Sequence, residues 1–184
     1  MMATTHVLIG LTLVAPVAYA VPELAVPLAV GAVLGGLAPD IDLVFRHRRT
    51  CHFPVAGAFV AIPAAVIAAA IQSPLTAAVA AFALSAWVHA GSDIAGGGPE
   101  MDPWTNPTDR AVYDHVRGQW IRPRRWIRYD GAPEDALLVA LLAMPLLLVY
   151  DGAIRLLVGG TLVLSVGYAL FRRRLVEWTP DWLE

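Results

Sequence analysis

Apolar residues run through six stretches of the chain, and polar residues gather between them. Residues 7–20 and 24–38 are apolar, parted by Val21-Pro22-Glu23. Residues 54–88 hold no charged side chain. A bilayer core about 30 Å thick takes about 20 helical residues to cross. The stretch therefore fits two short spans, 55–71 and 75–95, turned at Gln72-Ser73-Pro74. Residues 136–150 and 156–171 form a third pair, turned at Asp151-Gly152. The pattern predicts an all-α fold: a polytopic membrane helical bundle of about six spans in three hairpins. The spans are short, so tilt, local thinning or flanking residues must make up the thickness.

Three polar segments remain: 39–53, 96–135 and 172–184. With three hairpins they lie on one side, together with the N-terminus. Every basic residue is an arginine, and all but Arg155 fall in these segments. Excess arginine marks the cytoplasmic side. The reading is a single membrane domain over 1–184, multi-pass in the cell membrane, with both termini, loops 39–53 and 96–135 and a short tail 172–184 cytoplasmic. Ala18-Tyr19-Ala20 resembles a signal-peptide cleavage site, but no Lys or Arg precedes the first apolar run, as a signal peptide requires.

Composition agrees. Hydrophobic residues are 58%, charged residues 15%, and mean hydropathy is +0.61. A soluble domain carries about 25% charged residues. Intrinsic disorder is excluded by the same values. A disulfide scaffold is excluded because Cys51 is the single cysteine.

The ionisable residues at the span ends are the informative ones, because such groups near hydrocarbon need partners or a function. His89 and Asp93 are four apart, on one face of a helix. They suit a shared metal, with Asp93 able to bridge two ions; the bland reading is an Asp that orients a His, or a pair facing water. Pro39-Asp40-Ile41-Asp42 reads as an extended turn with both carboxylates on one side; the bland reading pairs them with Arg46, Arg48 or Arg49. His47 and His52 flank Arg48, Arg49, Thr50 and Cys51. One or both histidines suit a metal, and an adjacent arginine suits a phosphoryl oxygen. Alone, that basic run reads as a topogenic charge cluster, and Cys51 as a small buried residue. His6 opens the first span, and the hairpin count brings it beside Asp40. His6, Asp40, Asp42, His52, His89 and Asp93 are together enough to hold one or two divalent ions. Oxygen and imidazole donors favour zinc, with manganese or iron as alternatives.

These residues carry a resemblance. His6 before an apolar helix, Pro39-Asp40-Ile41-Asp42, His47-Arg48 with His52 five positions after His47, and His89-x-x-x-Asp93 before a glycine-rich turn resemble the YdjM-like family of membrane-bound metal-dependent hydrolases. The order and rough spacing match over about residues 1–104. That family is similar, more distantly, to the zinc-dependent phospholipase C and single-strand nuclease superfamily, helical enzymes that hydrolyse phosphoesters with a zinc cluster. The superfamily's ligand order implies His6, Asp40 or Asp42, His52, His89 and Asp93 here. Its later histidine ligands have no clean counterpart; Glu100, Asp102, Asp114 and His115 are the candidate substitutes. Many family members place Thr directly before the last His, where this chain has Cys51.

The 96–135 segment interleaves Trp104, Trp120 and Trp126 with six arginines. Such a loop suits a cover lying on an anionic leaflet. Nucleic acid is disfavoured as a partner, since membrane topology already explains the arginines. Asp114-His115 offers an extra ligand or acid, or simply a loop salt bridge.

The expected function is a membrane-embedded metal-dependent hydrolase, a phosphoesterase acting on a lipid or lipid-linked phosphate. Membrane lipid and a phosphoester substrate are its expected partners, with Arg48, Asp42 and His47 as the catalytic candidates. The alternative is a non-enzymatic membrane protein with a structural metal site. A transporter would want ionisable groups near the bilayer midplane, and the span centres lack them.

Overall fold

A computed structural model describes residues 1–178; residues 179–184 of the expected tail lie outside the described residues. The fold is mainly helical. Helix α1 (Ala3–Ala20) and α2 (Ala25–Leu37) are joined through a 3-10 turn, Pro22–Leu24. A second 3-10 segment, Ala38–Val44, prolongs α2. Helices α3 (Ala58–Ile71) and α4 (Pro74–Ser92) form the next pair, and α4 ends in a 3-10 turn, Asp93–Ala95. Ser73 and Thr76 start α4 with reciprocal side-chain-to-backbone bonds, which satisfy two orphan N–H groups. Helices α5 (Pro133–Val149) and α6 (Gly152–Val176) complete the bundle.

Four helical stretches are long and apolar enough to cross a membrane: Ala3–Ala20, Pro22–Val44, Pro74–Ala95 and Gly152–Val176. Ala58–Ile71 is apolar but shorter. Large apolar side chains such as Val66, Leu148, Leu164 and Leu170 point outward and are exposed. A protein in water hides such residues; one in lipid has no reason to.

The core forms around α1. Its Leu8, Leu11 and Val14 are buried with Leu28 and Ala32 of α2, Ala81 of α4, and Val139 and Leu146 of α5. Helices α2 and α4 approach most closely. A side chain at Gly31 would run into the backbone oxygen of Ala78, and one at Gly35 into that of Phe82. Small residues at four-residue spacing allow such backbone contact. This contact brings the last turns of α2 and α4 side by side. Ser85 Oγ donates to the Ala32 carbonyl at 2.8 Å across the same seam. At the same end, Asp135 accepts from Met2 N (2.8 Å), Thr5 Oγ1 (2.6 Å) and Gly131 N (3.1 Å), tying α1 to the start of α5.

Two local expectations need correction. The 39–42 segment is a 3-10 turn, not extended, so Asp40 and Asp42 diverge. The polar segment 96–135 is not merely a loop. It holds an antiparallel hairpin, β1 (Val112–Asp114) with β2 (Gln119–Ile121), in which Val112 faces Ile121 and Tyr113 faces Trp120. Gly118, at φ 68°, supplies the left-handed residue of its turn.

Candidate metal centre

Three histidines and two carboxylates meet where α1 begins and α2 and α4 end. The ligand atoms of His6, His89 and Asp93 lie within 4.8 Å of one another, as do those of Asp40, His52 and His89. His6, His52, His89 and Asp93 are buried, while Asp40 keeps an exposed edge.

Each imidazole is held by its Nδ1. His89 Nδ1 lies 2.7 Å from the Gly36 carbonyl, which can only accept, so Nδ1 carries the proton. His52 Nδ1 lies 3.0 Å from Asp42 Oδ2, with the same consequence. His6 Nδ1 lies 3.1 Å from Ser92 Oγ, and that hydroxyl donates its own proton to the His89 carbonyl at 2.9 Å. His6 therefore donates to Ser92. In each neutral ring Nε2 is then the nitrogen left to bind an ion; at His52 an ion takes the place of the second proton. Metal-binding histidines are fixed in this way by a partner on the other nitrogen.

The three Nε2 atoms converge on Asp40 and Asp93. His52 Nε2 lies 3.3 Å from Asp93 Oδ2 and 3.8 Å from Asp40 Oδ1. His89 Nε2 lies 3.6 Å and 3.4 Å from the same two oxygens. His6 Nε2 lies 3.2 Å from Asp93 Oδ1. Two donors each about 2.0–2.1 Å from a tetrahedral ion are about 3.3–3.4 Å apart. The spacing fits a divalent ion. Nε2 of His52 and of His89 are also buried without a hydrogen bond. Such orphaned atoms are costly and rare, and a cation would satisfy both.

Asp42 requires a correction. A candidate ligand and catalytic residue by sequence, it stands behind the ligands. The chain at 45–52 wraps around it. Its oxygens take His47 Nδ1 (3.1 Å), His52 Nδ1, Arg48 N (3.3 Å) and Cys51 N (3.1 Å). It is fully buried, and its role is to position His47 and His52. The cause is the 3-10 turn. At three residues per turn, positions two apart point about 120° away from each other.

Burial opposes a charge on His52, but its hydrogen bond to Asp42 and the neighbouring Asp93 carboxylate outweigh this, and its pKa is pushed up to about 9. Burial and Asp42 push the Cys51 thiol up, away from the thiolate that would bind metal.

Arg48 is buried too, rather than part of a solvated charge cluster. Its NH1 donates to the Gly97 carbonyl at 2.7 Å, and NH2 lies 3.6 Å from Asp93 Oδ1. Its Nε is buried without a partner. Arg48 adopts φ 58°, held by Asp42 at its N–H and by Tyr113 N, which donates to its carbonyl at 2.9 Å. The β-hairpin thus braces the segment that carries His47, Arg48 and His52. Asp40, His47 and Arg48 line a cavity of about 400 Å³.

The candidate substitutes do not join the cluster. His115 Nε2 donates to the Arg49 carbonyl at 2.6 Å. Asp114 Oδ1 caps the hairpin turn at Val116 N and Arg117 N. Asp102 accepts from Thr105, and Glu100 from Thr108. All four lie in the folded 96–135 segment; Glu100, Asp102 and Asp114 each hold one of its own turns, and His115 ties it to the 39–53 segment. Of the tryptophans, Trp126 is exposed, Trp120 packs on Tyr113, and Trp104 lies under Arg172 and Arg173.

Sequence reasoning missed Gly36 and Ser92. A backbone carbonyl leaves no trace in residue type. The Gly31-x-x-x-Gly35 spacing beside Gly36 was the available signal. Comparison with protein-family models, characterised proteins and solved structures finds no match to the chain.

Proposed function

We propose that the chain is a membrane-embedded metal-dependent phosphoester hydrolase. One observation carries this reading: three histidine Nε2 atoms converge with Asp40 and Asp93, and Asp40 lines a cavity together with Arg48 and His47. A purely structural site would be closed on all sides; here Asp40 keeps an edge on the cavity. The resemblance to the YdjM-like hydrolases leads the same way.

His6, Asp40, His52, His89 and Asp93 would hold one or two ions, zinc first, with manganese or iron as alternatives. A bound ion supplies positive charge for the phosphoryl oxygens and lowers the pKa of water. Arg48 supplies planar donors for a phosphoryl oxygen. His47, fixed by Asp42 through Nδ1 and lining the cavity, is placed to exchange a proton at the leaving oxygen. The reading includes six spans in three hairpins, with both termini and the site on the cytoplasmic side of the cell membrane.

The test is metal analysis of detergent-purified protein, followed by a panel of soluble aryl phosphoesters. At least one transition-metal ion per chain and chelator-sensitive turnover are expected. His52→Ala, His89→Ala and Asp93→Ala should each lose most metal while remaining folded. Full occupancy in all three sinks the site. Full metal in the wild type with no turnover of any phosphoester, soluble or lipid, favours the non-enzymatic staple.

A further inference from the structure

The cavity beside the cluster has a mixed lining. Asp40, His47 and Arg48 line it together with the apolar side chains of Leu43, of the 3-10 extension of α2, and Leu164 of α6. Glu100 and Asp130 line it too, and both are engaged within the fold, Glu100 by Thr108 and Asp130 by Tyr168 and Arg172. Ala3 and Thr4 of α1 line it as well, and Thr4 Oγ1 lies 2.7 Å from Ser165 Oγ, a hydrogen bond that seats α6. Leu164 is 67% exposed, on the outer face of a helix long and apolar enough to span a membrane. Leu43 is 49% exposed.

Depth decides the meaning of this. Leu164 precedes Arg172 by eight residues, which places it about 12 Å along the helix axis. Arg172 and its neighbours Arg173 and Arg174 suit the headgroup level, where arginine ends a span. One cavity is thus lined both by Arg48 and by a leucine about 12 Å along α6 from the arginine level. Part of its wall is fixed. Arg172 bonds both Asp130 oxygens and the Met101 carbonyl, and Tyr168 donates to Asp130, so the polar segment is latched to α6 where Met101, Asp130 and Tyr168 line the cavity.

We infer that the substrate enters sideways from the bilayer, as an amphiphile whose phosphoester head lies between Asp40 and Arg48 and whose hydrocarbon tail leaves between Leu43 and Leu164. The head binds by charge complementarity with Arg48. The tail stays in lipid and gives up no hydrophobic contact on binding. A soluble phosphoester gains nothing from the apolar lining of this cavity. The phosphoesterase reading supplies the identity of the head; the path itself is a property of the cavity.

The test is photo-crosslinking with hexadecylphosphonate carrying a diazirine in mid-chain, a probe that is not hydrolysed. Metal-loaded protein is held in phosphatidylcholine nanodiscs. Crosslinks are expected to concentrate around Leu43 and Leu164, and to be suppressed by unlabelled hexadecylphosphonate but not by hexadecanol. Leu43→Trp and Leu164→Trp should keep the metal yet reduce these crosslinks about tenfold, one decade in affinity. Crosslinks spread evenly over the outer faces of α3 and α5, or equal suppression by hexadecanol, would overturn the path. Focused crosslinks without turnover of any phosphoester uphold the path and remove the hydrolase reading. Turnover of soluble esters without focused crosslinks does the reverse.

Discussion

Asp42 Oδ2 lies 3.0 Å from His52 Nδ1, and this contact decides which nitrogen of His52 faces Asp40 and Asp93. The same carboxylate holds His47 and two backbone N–H groups of the intervening loop. One buried side chain thus sets the orientation of a ligand and of a cavity residue together.

Asp42→Asn tests that role. The amide keeps the size but has one acceptor where the carboxylate has two, and its NH2 opposes two donors. Metal affinity should fall about 10- to 100-fold, the usual cost of losing a partner behind a ligand. The protein should stay folded in detergent. Competition with a fluorescent zinc chelator measures it; wild-type affinity would remove Asp42 from the centre.

The raised pKa of His52 gives a sign to the pH dependence. In the metal-free protein this pKa, about 9, lies above the usual value of 6.5. The stabilisation it brings is fully present below about pH 6.5 and is lost as pH rises toward 9. An ion at Nε2 replaces the proton, so zinc affinity should rise with pH over the same window, by about tenfold per unit for one displaced proton. Thermal melts of metal-free protein at pH 6 and 9 should show the loss, and metal-loaded protein should not. Equal apo melting temperatures, with pH-independent zinc affinity, would contradict this.

The six apolar stretches were legible because lipid-facing helices leave long uncharged runs, and each run corresponds to a helix within a few residues. His89 and Asp93 were legible because four residues make about one helical turn. The division of labour between Asp40 and Asp42 was not. An extended turn sets both on one side, whereas the observed 3-10 turn sends one to the ligands and the other behind them. Arg48 was hidden for a different reason. In sequence it sits among arginines that serve topology; only the fold shows that it alone of Arg46, Arg48 and Arg49 is buried. The hairpin was missed because its strands are three residues each, too short for an alternating pattern to register.

Gly35→Ala links packing to the site. The added methyl would strike the Phe82 carbonyl, so α2 and α4 must part. The neighbouring Gly36 carbonyl would then withdraw from His89 Nδ1. A loss of about 1–3 kcal/mol, the range for overpacking, should come with reduced metal occupancy. Thermal melts and metal analysis of one preparation check both. Lower stability at full occupancy would separate the seam from the centre.

Topology is open to labelling. In a Cys51→Ser background, Ser73→Cys and Asp109→Cys should react with a membrane-impermeant maleimide from opposite sides. Ser73 begins α4 at the end remote from the cluster, whereas Asp109 lies in the segment folded over it. Labelling of both from one side would refute the three-hairpin arrangement.

Arg48→Lys separates binding from chemistry. The guanidinium spends NH1 on the Gly97 carbonyl and keeps Nε unpartnered in a buried place. A lysine preserves the charge near Asp93 but has one compact ammonium, which cannot hold Gly97 and offer planar donors to a phosphate together. The backbone hydrogen bonds to Asp42 and Tyr113 do not depend on the side chain, so the loop and the metal should persist. Turnover should fall about 10²- to 10³-fold, the scale for one preorganised donor to developing charge. The loss should appear in kcat, because the interaction strengthens as the phosphoryl oxygens gain charge. Steady-state kinetics on the best phosphoester, with metal content measured alongside, decides the matter. Wild-type kcat at full metal occupancy would remove Arg48 from the reaction.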